Sequence, residues 1–157
     1  MDDTFKSLLN QIATDEKLHL SGLYILSKMD QDSLEIFRET WPAISTQRRS
    51  SIMQNLVEIS EVNFEVDFDP VFLLGLGDED AEVRALAING LWENQNPALI
   101  DPLLHLLRTD ETALVRAAAA TALGQFIYLS EIEELDSART IPIQEALLET
   151  IYQPAED

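Results

Sequence analysis

Apolar residues recur three and four positions apart along most of this chain, the spacing that gathers them on one face of an α-helix. Val83, Leu86, Ala87, Gly90 and Leu91 make one such stripe, and Val115, Ala118, Ala119, Ala122 and Leu123 make a second. The spacing predicts helices over 4–13, 17–29, 32–41, 46–60, 69–76, 80–94, 97–108, 112–129 and 142–152. Strand-like alternation is confined to Val62–Phe68. Thr46, Asp69, Asp80 and Asn96 are suited to accept hydrogen bonds from the free amides that open a helix. Pro70 and Pro97 then fall at the first helical position, where a missing amide costs nothing. Two stretches break the pattern. Residues 61–68, with Phe64 and Phe68, either wrap over an edge or move freely, and residues 130–140 leave room for a short extra turn.

The two stripes belong to a longer self-similarity. Residues 78–87 align without gaps on residues 110–119, an offset of 32, which pairs Asp78 with Asp110, Val83 with Val115, Arg84 with Arg116 and Ala87 with Ala119. Leu91 then matches Leu123. Arg49, Ile52 and Leu56 form a weaker copy 35 residues earlier, and His19, Gly22 and Leu26 another 30 before that. A repeated helical hairpin that leaves its apolar face bare must be covered by the next one, so such a pattern predicts stacking.

The stretch Asp-x-x-x-x-Val-Arg-x-x-Ala-x-x-x-Leu resembles the second half of a HEAT-like repeat, in the short variety named after the phycobilisome lyases. It matches well over 69–129, less well over 31–60 and poorly at both ends, and it is shorter than the usual ~40–47 residues. The fold class implied is all-α: an α-solenoid of about four stacked hairpins (4–29, 31–60, 69–94, 97–129) plus an unpaired helix at 142–152. The whole of 1–157 is read as one such domain. Ile143, Leu147, Leu148 and Ile151 stripe that last helix, and Pro154 begins what resembles the turn before a missing partner helix. The chain is therefore expected to be a segment of a longer solenoid, or one whose last helix caps against something else.

Composition narrows function more than fold. Ten Lys and Arg stand against twenty-nine Asp and Glu, a formal net charge of −19. Nucleic-acid affinity rests on neutralising phosphates, and anionic lipid surfaces are repelled in the same way. The expected partner is therefore another protein, or a further segment of the same longer chain, and neither nucleic acid nor membrane. A DNA-repair helical-repeat module would need a basic groove, and the charge argues against it. With no cysteine, thiolate chemistry is absent. No leader sequence or apolar run of about 18 residues is read, so the expected setting is cytoplasmic.

Candidate chemistry is sparse. No nucleophile elbow, phosphate loop or zinc spacing occurs, and His19 and His105, each between leucines, lack the paired acidic residue of a helical metal site. His19 is assigned to the arginine slot of the first repeat. The acidic run Glu131, Glu133, Glu134 and Asp136 lacks calcium-loop spacing. No catalytic, cofactor-binding or metal-binding residue is assigned. For Asp78, Arg84, Asp110 and Arg116 the resemblance implies a structural ladder between adjacent repeats; the other reading turns the two arginines toward a partner. Trp92 and Ile88 project away from the Val83 stripe on the predicted helix 80–94. They are either exposed anchors beside Arg84 or covered by a neighbouring repeat, while Phe37 and Trp41 fill core. The leading reading is a protein-binding scaffold using the concave face of helices 46–60, 80–94 and 112–129. The alternative that the resemblance admits is a phycobilin-type chromophore lyase or isomerase subunit.

Overall fold

A computed structural model describes residues 2–132 and 135–152. Among these the chain is all-α, built from the helical hairpins of which α-solenoids are made: α1 (Asp2–Thr14), α2 (Gln31–Thr40), α3 (Thr46–Val62), α4 (Asp69–Gly75), α5 (Ala81–Gly90), α6 (Ile100–Thr109), α7 (Ala113–Glu131) and α8 (Ile141–Tyr152). No strand forms among the described residues, at 62–68 or elsewhere. Contacts divide the chain into two compact units, Met1–Leu91 and Trp92–Asp157. The boundary falls inside what the sequence presents as the repeat 69–94.

In the first unit α1 packs on α2, α3 on α5, and α4 on α5. Phe37, Ile52, Met53, Leu56, Phe72 and Ile88 are almost wholly removed from solvent. Glycine sets how closely α4 and α5 approach. A Cβ on Gly75 would lie 2.5 Å from the Met53 methyl and 2.8 Å from the Ala87 methyl, and one on Gly90 would overlap the Phe72 ring. Gly75 therefore packs helices together as well as preceding the turn at Gly77.

The predicted helix 17–29 is instead a 3₁₀ segment, Leu20–Leu26, which buries Leu23 and Leu26. Ser21 and Gly22 are poor α-formers, and the two buried leucines three apart suit the three-residue turn. His19, placed by the sequence in an arginine slot, sits exposed at its start. The segment 61–68 is tied down at its end: Lys28 N donates to Asp67 O (3.2 Å) and Asp67 N donates to Ser27 Oγ (2.9 Å). Lys28 holds a left-handed backbone (φ 57°) to do so. Phe68 is buried and Phe64 exposed.

Ser45 rather than Thr46 caps α3, and Asp69 lies inside α4, whose cap position is Phe68. Asp30 caps α2 by accepting from Ser33 N at 2.8 Å. That hydrogen bond holds its carboxyl below the ordinary aspartate value.

In the second unit α6 packs on α7 and α8. Leu103, Leu104, Leu106 and Leu107 are all buried, as are Val115, Ala119, Leu123 and Phe126 of α7. By length and composition α7 could cross a bilayer, a run the sequence reading did not register. It carries Arg116 within its first turns and packs its apolar stripe on α6. Asp136 caps a 3₁₀ turn, Ser137–Thr140, in the second irregular stretch. On α8, Ile143 and Ala146 are buried, while Leu148 and Ile151 are 53% and 72% exposed. Glu133, Glu134 and the turn begun at Pro154 lie outside the described residues.

Candidate functional site

The repeated motif works as a clasp around a helix start. Asp78 Oδ1 accepts from Asp80 N (2.9 Å), Asp80 Oδ2 caps α5 by accepting from Val83 N (3.1 Å), and Arg84 Nη1 returns to Asp78 O (2.8 Å). One repeat later Asp110 Oδ1 accepts from Thr112 N (2.9 Å), Thr112 Oγ1 accepts from Val115 N (3.4 Å), and Arg116 Nη1 returns to Asp110 O (2.8 Å). Aspartate and threonine exchange at the cap because both offer a short-reach oxygen. The arginine satisfies a carbonyl left free in the turn.

Asp78 also reaches across repeats, and its partner there is Arg49 of the weaker copy. Arg49 Nε lies 3.2 Å from Asp78 Oδ2 and Nη2 lies 3.3 Å from Oδ1, with both side chains at most 4% exposed. No hydrogen bond of sound geometry forms at Nε, so that contact is ionic. Arg49 Nη1 donates to Ile44 O at 2.5 Å, and Trp41 Nε1 donates to Asp78 Oδ2 at 2.8 Å. A buried charge pair of this kind is sustained by its extra hydrogen bonds. Arg49 and Asp78 are buried, and only Glu79, 3.6 Å from Arg49 Nη2, reaches solvent, which fits the cluster to hold repeats together rather than to meet a ligand.

The second unit contains a different kind of place. After Gly90 the chain leaves the helix, so Trp92 lies on a turn and not on the helix predicted to reach residue 94. Trp92, Glu93 and Gln95 come beside Gln125, Tyr128 and Leu129 of α7, and together they line an open cleft of about 530 Å³. Gln125 Nε2 donates to Asn94 O (3.2 Å) and joins the turn to the helix. Trp92 is 47% and Tyr128 61% exposed. Aromatic rings left in water beside a concavity are the usual energetic anchors of an interface.

The four residues proposed from sequence as partner contacts therefore separate. Ile88 is 2% exposed and Arg84 8%; Ile88 is corrected from a surface anchor to a core residue. The projection assumed one covered side, whereas α5 is buried around most of its circumference. Arg116 is half-buried, engaged with Asp110, and does not line the cleft. Trp92 alone of the four is broadly exposed. Tyr128 and Gln125 were not singled out from sequence; the available signal was their three-residue spacing on a face of α7 away from its apolar stripe. Among the described residues, no group of three His, Asp or Glu side chains is placed to hold a metal ion.

Comparison with known proteins adds one match: the family model for HEAT repeats covers residues 70–150. No curated protein and no solved structure matches the chain.

Proposed function

The chain belongs to the HEAT-repeat family, and from that premise we propose that it is a protein-interaction scaffold whose partner is gripped at the Trp92–Tyr128 cleft. HEAT repeats commonly serve as protein-interaction scaffolds and are generally non-catalytic. The observation that carries the proposal is the exposure of two large aromatics on one cleft, in a chain whose other tryptophan is buried. The remaining polar candidates, Arg84 and Arg116, are occupied in clasping helix starts and support the scaffold without forming its grip. The net charge of −19 sets the partner apart from nucleic acid and anionic membranes. A chromophore-lyase role gains nothing from the cleft, because Glu93, Gln95 and Gln125 leave its lining as polar as it is apolar, unlike the largely apolar wall of a typical small-molecule pocket.

The test is affinity capture from source lysate with wild-type protein, Trp92→Ala and Tyr128→Ala, each shown to be folded by circular dichroism. A partner retained by wild type and reduced about thirtyfold by either variant, the scale of an interface hot spot, is the expected result. Equal retention by all three would remove the cleft from the interface.

A further inference from the structure

We infer that the Trp92–Tyr128 cleft selects an arginine side chain, so that the partner presents a basic segment; this deepens the scaffold proposal above and rests on it. Three observations converge. Trp92 and Tyr128 are 47% and 61% exposed on the cleft, and among the described residues neither ring is committed to another aromatic. The lining holds one carboxylate, Glu93, and no lysine or arginine. Gln125 uses its amide nitrogen on Asn94 O, which fixes its Oε1 as an acceptor. The cleft thus offers two partly exposed aromatic rings, a carboxylate and amide oxygens.

Of the natural side chains, guanidinium fits that set best. It is planar, stacks on aromatic faces, and carries five donors that carboxylate and amide oxygens can accept. Lysine would satisfy the charge but stacks less well. The overall charge of −19 adds an attractive field that draws a basic segment in from solution. An acidic segment would be repelled by Glu93 and that field, and an apolar one would desolvate Glu93 without pairing it.

The experiment uses the full chain and a capped peptide with one arginine between glycines, alongside the same peptide with citrulline, which keeps the shape and removes the charge. Isothermal titration calorimetry reports binding for wild type and every variant, Trp92→Ala included, at low and at physiological salt. The arginine peptide is expected to bind about tenfold more tightly than the citrulline peptide, with Trp92→Ala and Tyr128→Ala each erasing most of that preference. Glu93→Gln is expected to weaken binding several-fold. Glu61→Gln, which removes an exposed acidic residue in the other unit, is expected to change nothing. Equal binding of both peptides would overturn the inference. So would an arginine preference that survives Trp92→Ala, since charge alone would then hold the peptide.

The two proposals fail separately. A lysate partner that depends on Trp92 but is displaced by the citrulline peptide as readily as by the arginine peptide would end the arginine inference and leave the scaffold standing. Arginine binding at the cleft with no Trp92-dependent partner would do the reverse.

Discussion

The chain has two tryptophans, and the two units put them to opposite use. In the first unit Trp41 is 3% exposed, its ring 5.2 Å from that of Phe37 and its N–H donated to Asp78. In the second, Trp92 is 47% exposed on a turn, beside the still barer Tyr128. The side chains are identical; the backbone beneath them is not. Trp41 follows the last turn of α2, where its indole reaches the buried Arg49–Asp78 pair. Trp92 comes just after a helix has ended at Gly90, with the turn pinned by Gln125 and no buried cluster for it to complete. A large aromatic is therefore structural where its polar edge has a fixed acceptor, and available for recognition where it does not.

Breaking the buried side of that contrast should have the largest effect. Asp78→Ala leaves buried Arg49 with only the solvent-exposed Glu79, 3.6 Å away, as an ionic partner and removes the acceptor of Trp41, so urea unfolding should show a loss of about 3–5 kcal/mol; an unchanged midpoint would mean the cluster contributes nothing net. Gly90→Ala forces a methyl into the Phe72 ring and should cost about 1–3 kcal/mol by the same measurement. Trp92→Ala, by contrast, removes a side chain only half covered and should cost about 1 kcal/mol. Acrylamide should quench wild-type fluorescence mainly through Trp92, leaving a Trp92→Phe protein several-fold less quenchable; comparable quenching of the two would erase the distinction.

The smallest expected effect concerns acid. Because the Asp30 carboxyl sits below its ordinary value when folded, its contribution is present above the unfolded value of 3.8 and is lost as pH falls through the lower folded value. Asp30→Asn, which keeps the cap and drops the charge, should flatten that part of the acid limb of a stability–pH curve and leave neutral pH nearly unchanged.

Most helices were legible because their stripes follow a period near 3.6. The end of α5 was not, because Leu91 continues the stripe and is buried although the backbone has already left the helix. That hid the turn on which Trp92 stands. The 3₁₀ segment was misread as an α-helix because buried leucines at 23 and 26 satisfy either period. The clasp was half legible: the recurrence of Asp78 and Arg84 at Asp110 and Arg116 was plain, but the hydrogen-bonded atoms were not. Tyr128 reads from sequence as an ordinary solvent-facing residue, since its meaning depends on the turn at 92–95 coming alongside α7. The Arg49–Asp78 pairing spans 29 residues, and only the three-dimensional packing reveals it.

The clasps have a consequence for the order of folding. Each closes within six residues, from Asp78 to Arg84 or from Asp110 to Arg116, so its loop-closure entropy is small. The costly step in making a helix is its first turn, and the clasp supplies acceptors there before any distant segment has arrived. The starts of α5 and α7 can thus nucleate independently along the chain, and the long-range Arg49–Asp78 contact can form afterwards between parts already shaped to meet.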